Sequence, residues 1–334
     1  MFNKITAAAV VILALWLVSP AEEEKPLASL RSNPSPYYPT TFYPNATQVE
    51  TPYGVMQYAL FGPDGGERIV FVHGYSCPSP IFEHLSKSLA EDGYRVLTYD
   101  LWGRGYTDAP GNTGYSEGLY MSQLEFLIQQ VGWSDSTFNV VGLSLGGAIA
   151  TSYTSFRPNL VKRLILVGPA GLMEKADIPM YTKLFKYPAF IKLWLSPVFQ
   201  PLAIKALGSW SSAHKGKTAA ESKEAEDFEV MAKNIIVDQI TKHSGYFRAL
   251  VNTAKDYPLM ELDERYKKVG QSSVPVYALW GDADVTVPFR HSKKLLQYIP
   301  RAEIFVFEGG GHNILMTNPT KAHADMLTIL DNRP

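Results

Sequence analysis

The chain is poor in the residues that mark several common kinds of protein. Its 334 residues include one cysteine, Cys77, which excludes an internal disulfide framework and any zinc site built on several cysteines. Lysine and arginine total 31 against 32 aspartates and glutamates, so no positive excess favours nucleic acid as a partner. No segment of about 20 to 50 residues repeats, which excludes a solenoid. What the chain does have is 46% hydrophobic residues, enough for a sizeable core.

The longest apolar run is short for a membrane-crossing helix, which needs about 20 residues. It covers residues 5–18, follows Lys4, and precedes the small residues 19–21. This layout predicts a signal peptide at residues 1–21 and a secretory location, secreted or membrane-anchored. A retained signal-anchor, which would associate with the membrane, and an ordinary buried helix are the alternatives. The sequon at residues 45–47 makes Asn45 a candidate glycosylation site, in agreement with the secretory route.

The middle of the chain alternates short apolar runs with helical patterns. Residues 22–48, rich in Pro, Ser, Tyr and Asn, come first and are predicted to form a linker or an arm on the domain. We then expect strands at 55–61, 68–72, 94–99, 138–141 and 163–167, and helices at 81–92, 117–131 and 145–156. Buried strands alternating with helices predict an α/β fold with a mostly parallel sheet, covered by helices on both faces.

The alternation stops after residue 171 and resumes near residue 261. Residues 172–260 carry few strand signals and are predicted to form a helical cap inserted over the sheet. Strands at 274–280 and 303–307 and a helix at about 320–330 follow. The core domain is therefore expected to comprise residues 49–171 and 261–334.

Ser144 follows a buried strand and precedes a helix in the pattern Gly142-Leu143-Ser144-Leu145-Gly146. A serine raised above a sheet needs a sharp turn between strand and helix, and glycines two residues to either side relieve the crowding in such a turn. Gly142 and Gly146 occupy these two places. The pattern therefore predicts a nucleophile elbow with Ser144 as nucleophile, and a structural glycine-rich turn is the alternative.

A serine hydroxyl needs a base to remove its proton. Of the seven histidines, His312 alone follows the last predicted strand in a glycine-rich loop, after residues 309–311. Histidines 84, 291 and 323 lie in helical patterns that suggest surface or packing roles. His214 and His243 fall in the predicted cap, where a lid or solvent role is expected. We therefore expect His312 to be the general base.

The base in turn needs a carboxylate to orient it. Asp284 lies just after the strand at 274–280 and 28 residues before His312, a spacing that fits one helix and one strand. Asp282, which could instead cap the turn, is the alternative. The resulting order of serine, aspartate and histidine is the one that a nucleophile elbow of this kind requires.

Two backbone N–H groups are expected to bind the developing oxyanion. One belongs to Leu145, directly after the nucleophile, and the other to Tyr75, in the turn after the strand at 68–72. A simple turn after His73-Gly74 is the alternative for the second. Cys77, close by, lacks a second local partner and is expected to be a packed thiol.

The chain resembles the α/β-hydrolase superfamily over nearly all of residues 51–330. The motifs that carry the resemblance are FVHGYS at 71–76, YDLWGRGYTD at 99–108, GLSLGG at 142–147, WGDADVTVP at 280–288 and GGGH at 309–312. The resemblance implies an eight-stranded sheet with a helical cap after the sixth strand, the triad Ser144, Asp284 and His312, and an oxyanion hole from Leu145 and Tyr75. The chain looks most like the monoacylglycerol lipase and lysophospholipase-like branch. Asp100 is assigned no catalytic role.

The expected activity is hydrolysis of a small-molecule or lipid carboxylic ester through an acyl-enzyme. A carbon–carbon bond or lactone hydrolase with the same triad and a non-catalytic hydrolase-like binding protein are the alternatives. Nothing in the sequence calls for a cofactor or a metal, and the oligomeric state cannot be read from it.

Overall fold

The computed structural model describes residues 25–174 and 219–331, with residues 176, 177, 187, 190 and 196. The predicted signal segment, residues 1–21, and most of the first half of the predicted cap lie outside these residues. None of the helices within the described ranges combines the length and the apolar composition needed to cross a membrane.

The centre of the fold is one eight-stranded sheet. Its strands lie in the order β1-β2-β4-β3-β5-β6-β7-β8. Strand β2 pairs antiparallel with β1 and with β4, and every other pair is parallel. The strands are β1 (Ala46–Thr51), β2 (Gly54–Phe61), β3 (Arg68–Val72), β4 (Arg95–Tyr99), β5 (Phe138–Leu143), β6 (Val161–Val167), β7 (Val276–Gly281) and β8 (Glu303–Phe307).

Helices follow most of the strands and cover both faces of the sheet. The described helices are α1 (Glu83–Glu91), α2 (Glu117–Gln130), α3 (Leu145–Phe156), α4 (Lys223–Lys242), α5 (Tyr246–Asp256), α6 (Asp263–Gln271), α7 (Ser292–Tyr298), α8 (Ile314–Thr317) and α9 (Pro319–Asp331). Short 3₁₀ helices lie at Leu30–Ser32, Ser79–Phe82 and Phe289–His291.

The central strands are apolar throughout because both of their faces are covered. All six residues of β5 are buried. Successive side chains of a strand point to opposite faces, so Val140 belongs to the core cluster on one side of the sheet and Val141 to the cluster on the other. In β6, Leu164 and Ile165 divide between the two clusters in the same way. The predicted α/β fold with a mostly parallel sheet is confirmed.

Strand β1 is the one described strand that the sequence pattern did not predict. It begins at Ala46, inside the range expected to form the arm, and pairs with β2 at the edge of the sheet. None of its six residues is fully buried. An edge strand of this kind has little of the apolar alternation from which strands are predicted; its pairing with β2 across a tight turn forms it.

Residues before β1 pack against the core. Tyr38 is almost completely buried, and its hydroxyl donates a hydrogen bond to the carboxylate of Asp100 (3.0 Å). Burial raises the pKa of Asp100, but this carboxylate also accepts from the N–H groups of Ser79 (2.8 Å) and Tyr106 (2.9 Å). Asp100 thus ties the arm to the loop after β4, in keeping with a structural role.

His243, for which we expected a lid or solvent role, is instead buried. Its Nδ1 accepts a hydrogen bond from the N–H of Gly245 (3.1 Å), so the proton is on Nε2, which donates to the carbonyl of Thr107 (3.2 Å). Burial lowers the pKa of His243 to about 4. The neutral ring therefore joins the end of α4 to the loop after β4.

Replacing His243 should make stability less sensitive to acid. A histidine whose folded pKa lies near 4, below its unfolded value, is protonated first in the unfolded state. The contribution of the neutral ring to the free energy of unfolding is therefore lost as the pH falls from about 6.5 to about 4. Between about pH 7.5 and about pH 5 this loss amounts to about 2 kcal/mol. We expect His243→Gln to reduce the free energy of unfolding at neutral pH. The decrease in this free energy between about pH 7.5 and about pH 5 should be smaller in the variant than in the parent by the same amount, about 2 kcal/mol.

The measurement is urea unfolding of the parent and the variant at both pH values. His84→Gln is the control, since His84 is exposed on α1. An equal acid-induced loss in parent and His243→Gln would contradict a neutral buried ring.

Candidate active site

Ser144 stands at the point where β5 gives way to α3. Its backbone dihedrals are φ 55° and ψ −116°. Among the described residues other than glycine, Ser144 and Asn112 are the two with positive φ. Such a conformation costs on the order of 1–3 kcal/mol in a residue with a side chain, and strain of this kind is concentrated at functional sites.

The glycines two residues on either side of Ser144 are required by close packing. A Cβ atom on Gly146 would lie 1.9 Å from the carbonyl oxygen of Val72, at the end of β3. A Cβ atom on Gly142 would lie 2.3 Å from the carbonyl oxygen of Gly146. The absence of a side chain at Gly146 therefore lets the turn fit against β3, and its absence at Gly142 lets the turn itself close.

Asp284 and His312 meet after the ends of β7 and β8. The distance from Nδ1 of His312 to Oδ2 of Asp284 is 2.7 Å. Oδ1 of the buried Asp284 accepts from the N–H groups of Thr286 (2.8 Å) and Val287 (2.9 Å). Because a carboxylate can only accept, Nδ1 of His312 donates, and Nε2 keeps a lone pair that can take a proton. The alternative carboxylate, that of Asp282, accepts instead from the N–H of Gly309 (2.6 Å).

Gly168 completes the surroundings of this pair and was not recognised in the sequence. It follows β6 with φ +46°, and a Cβ atom there would lie 3.1 Å from Oδ2 of Asp284 and 3.2 Å from Nδ1 of His312. The residue thus leaves room for the hydrogen bond between them. The available signal was a glycine placed directly after a buried strand, the position at which parallel sheets gather their functional groups.

Ser144, His312 and Tyr75 line one pocket. The loop after β3 passes beside the serine, since a Cβ atom on Gly74 would lie 3.4 Å from Cβ of Ser144. Leu145 is the first residue of α3, and Asp284 lies behind His312. The fold therefore brings all of the predicted catalytic and oxyanion residues to one edge of the sheet. Most of the remaining wall is apolar, formed by Ile81, Leu143, Ala232, Ile236, Leu315 and Met316.

His73 holds the loop that carries Tyr75. The N–H of Leu101 donates to Nε2 of His73 (2.8 Å), so the ring proton is on Nδ1, which donates to the carbonyl of Gly74 (2.8 Å). The ring is completely buried, and burial lowers its pKa to about 3. His73 is therefore neutral at physiological pH, with one fixed tautomer.

A small polar cluster from α4 and the loop before α8 lies in the pocket wall. Glu229 is mostly buried, pairs with Nζ of Lys233 (3.0 Å), and accepts a hydrogen bond from Nδ2 of Asn313 (3.2 Å). All three residues line the pocket. No motif in the sequence pointed to them, because the contact joins residues 84 positions apart.

Cys77 also lines this pocket but is buried, and burial raises the pKa of its thiol. The thiol is therefore protonated at neutral pH and a poor nucleophile. Across residues 25–174 and 219–331, no group of three or more His, Cys, Asp or Glu side chains could hold a metal ion.

Comparisons with known proteins find hydrolases among those similar to this chain. Lipase 1 of Psychrobacter immobilis is 26% identical over 270 residues, which cover 77% of this chain and 74% of the lipase. A 2-hydroxy-6-oxononadienedioate/2-hydroxy-6-oxononatrienedioate hydrolase of Klebsiella pneumoniae is also 26% identical, over 252 residues that cover 75% of this chain and 82% of that enzyme.

Among solved structures, the esterase RhEst1 of Rhodococcus sp. ECU1013 superposes with a TM-score of 0.67. The match covers 86% of this chain and 99% of the esterase at 20% identity, a likeness of fold. The model of the α/β-hydrolase fold family matches residues 67–319, which include the serine, the aspartate, the histidine and the oxyanion loop. The chain therefore belongs to the α/β-hydrolase fold family.

Proposed function

We propose that this protein is a serine hydrolase that cleaves carboxylic esters with an apolar acyl chain, through an acyl-enzyme on Ser144. The observation that carries the proposal is the hydrogen bond from His312 to Asp284 at the wall of the pocket that holds the strained serine. A base oriented by a buried carboxylate beside an otherwise inert hydroxyl is the arrangement that nucleophilic acyl transfer requires.

In the first half of the reaction, Nε2 of His312 takes the hydroxyl proton of Ser144 while Oγ attacks the ester carbonyl carbon. The carbonyl oxygen becomes an oxyanion, which accepts hydrogen bonds from the N–H groups of Leu145 and Tyr75. Asp284 stabilises the imidazolium that forms and keeps Nδ1 protonated. Collapse of the intermediate breaks the bond to the alcohol oxygen, and the imidazolium protonates the leaving alcohol.

In the second half, water replaces the alcohol. His312 accepts a proton from water as its oxygen attacks the acyl-enzyme, and the same two N–H groups bind the new oxyanion. Breaking the bond to Oγ returns the proton to Ser144 and releases a carboxylic acid. The protonation states of His312 and Ser144 are then those of the starting enzyme.

The pocket wall favours an ester over a dicarboxylate substrate. The Klebsiella pneumoniae relative is named for a dioate, which would need cations to bind its two carboxylates. Within the described residues that line the pocket, Lys233 is the one lysine or arginine, and it already pairs with Glu229. The six apolar side chains instead provide a surface for a hydrocarbon chain. This wall also agrees with the resemblance to lipases of the monoacylglycerol and lysophospholipase-like branch.

Asn45 lies in the turn before β1 and is exposed, as a glycosylated asparagine must be. We accordingly propose that the chain enters the secretory pathway and that the apolar segment at residues 1–21 directs it there.

Loss of the serine should abolish reaction with a fluorophosphonate probe. We expect Ser144→Ala to be unlabelled and to lose at least about 10⁴-fold in kcat, because the attacking oxygen is gone. Cys77→Ala is the control from the same pocket and should label as the parent does, because the thiol is protonated. Labelling that persists in Ser144→Ala would refute the proposed nucleophile.

The two aspartates after β7 provide a matched pair. We expect Asp284→Asn to lower kcat by about 10⁴-fold, since the neutral amide neither selects the tautomer nor stabilises the imidazolium. Asp282→Asn should stay close to the parent, because an amide oxygen can still accept from Gly309. Steady-state kinetics on one p-nitrophenyl ester measures both, and an equal loss in the two variants would argue against Asp284 as the orienting carboxylate.

Ester preference should follow the apolar wall. Across p-nitrophenyl esters of increasing acyl length, kcat/KM should rise about threefold to fourfold per methylene group until the pocket is filled. Ile236→Ser should flatten this rise, because it makes one side of the wall polar. Activity confined to the acetate ester would contradict an apolar acyl chain, and turnover of diketones or lactones but not esters would favour the alternative hydrolase.

Expression of the tagged full chain in a eukaryotic secretory host tests the location. We expect a faster-migrating band after glycosidase treatment, and Asn45→Gln should migrate at that position without treatment. Carbonate extraction then separates a cleaved signal, which leaves the protein in the supernatant, from a retained anchor. An unmodified chain confined to the cytosol would contradict the secretory proposal.

A further inference from the structure

The loop of residues 74–76, called the oxyanion loop below, has each of its carbonyl groups bound by a buried side chain. The carbonyl of Gly74 accepts a hydrogen bond from Nδ1 of the neutral His73 (2.8 Å). The carbonyl of Tyr75 accepts a hydrogen bond from Nε of Arg104 (3.1 Å). The carbonyl of Ser76 accepts two, from Nε2 of Gln239 (2.9 Å) and from the hydroxyl of Tyr246 (2.9 Å).

Hydrogen bonds to these carbonyls also fix the directions of the N–H groups in the same peptide units. Within a trans peptide, the carbonyl of one residue and the N–H of the next point in opposite directions. The N–H of Tyr75, the proposed oxyanion donor, therefore points away from the side on which His73 holds the carbonyl of Gly74. The next two carbonyls are held as well, so three successive peptide groups of the loop are anchored.

Gln239 is the anchor that joins the oxyanion loop to a second loop. Its side chain is completely buried. Oε1 accepts from the N–H of Gly105 (2.7 Å) while Nε2 donates to Ser76, so both ends of the amide are engaged and its orientation is determined. Gln239 lies on α4, within the predicted cap, and thus reaches the catalytic edge from outside the core domain.

We propose that Gln239 is a positioning residue, which holds the oxyanion loop so that the N–H of Tyr75 faces the reacting carbonyl, with Tyr246 as a second anchor. This inference rests on the proposed serine hydrolase activity. Because the oxyanion forms during the reaction and is absent from the bound ester, loosening the loop should lower kcat and leave KM nearly unchanged.

Gln239→Glu tests the anchor with almost no change in shape. An ionised carboxylate can still accept from Gly105 but cannot donate to the carbonyl of Ser76, whereas a protonated carboxyl group can do both. We expect kcat to fall about tenfold near neutral pH, less than the roughly 10²–10³-fold that loss of a donor itself causes. Affinity for a trifluoromethyl ketone, whose adduct with the serine carries an oxyanion, should fall by the same factor.

The ratio of variant to parent kcat should rise as the pH falls, because protonation restores the donor. A buried carboxyl group has a raised pKa, which brings this recovery toward mildly acidic pH. Gln239→Leu has nothing to protonate and should show a constant ratio. With kcat counted per folded molecule, a role in stability alone would give Gln239→Glu no such recovery.

Gln123→Glu is the matched control. Gln123 is also buried and also bridges two backbone groups, accepting from the N–H of Trp102 (3.2 Å) and donating to the carbonyl of Asp100 (3.0 Å), but it does not touch the oxyanion loop. We expect it to lose stability while kcat per folded molecule stays close to that of the parent. An equal kcat loss in both variants, or a loss in Gln239→Glu that lies in KM, would overturn the proposal.

If Gln239→Glu does not fold, Tyr246→Phe removes the second donor to Ser76 alone. Tyr106→Phe is its control, because that buried hydroxyl donates to the carbonyl of Tyr38 instead. The proposal predicts that Tyr246→Phe loses less than about tenfold in kcat, yet more than Tyr106→Phe loses. Equal kcat values in these two variants would overturn it. Fluorophosphonate labelling separates the two proposals, since an unlabelled parent refutes the hydrolase whereas slowed labelling of the variants concerns the loop.

Discussion

The catalytic edge of this protein depends on close approach between backbone segments at the carboxyl ends of parallel strands. The turn that carries Ser144 lies so near β3 that Gly146 has no space for a Cβ atom, and Gly168 stands equally close to the aspartate and the histidine. These contacts hold the strained serine in place, because the packed strands on either side oppose relaxation of the turn. Two glycines on two different segments thus allow groups far apart in sequence to pack side by side.

The same edge holds its polar groups in fixed orientations. The carboxylate of Asp284 is bound at both oxygens, by two backbone N–H groups and by His312, so the imidazole has one orientation and one tautomer. On the other side of the pocket, His73 is held in its own fixed tautomer by the N–H of Leu101. Groups oriented before the substrate arrives stabilise developing charge without a further cost of reorganisation. The proposed mechanism assigns proton transfer to His312, whereas burial lowers the pKa of His73 to about 3 and keeps that ring neutral.

Much of the core could be read from the sequence because its signals are local. A buried strand, a glycine-flanked serine and a helix of small residues predicted the segment around Ser144, and α3 and β8 have the predicted bounds. Contacts between distant segments left no such signal. Strand β1 is formed by pairing at an exposed edge. Nothing in the sequence around Gln239 distinguishes it from other helix residues, because its role comes from the contacts of α4 with the loops that contain residues 76 and 105. Burial of His243 was misjudged for the same reason, since its environment comes from the loop that contains Thr107.

Helix α4 joins the pocket wall to the oxyanion loop through one of its faces. Glu229, Ala232, Lys233 and Ile236 line the pocket, and their spacing of three and four residues places them on one side of the helix. Gln239 continues this face by one more turn and reaches the oxyanion loop. A rigid helix cannot shift its pocket wall without also moving the anchor. Under the proposed mechanism, a substrate that fills the apolar part of the pocket and holds α4 in place would also hold the carbonyl of Ser76, and through it the proposed donor to the oxyanion. Binding energy from an acyl chain remote from the scissile bond would then appear in kcat as well as in KM.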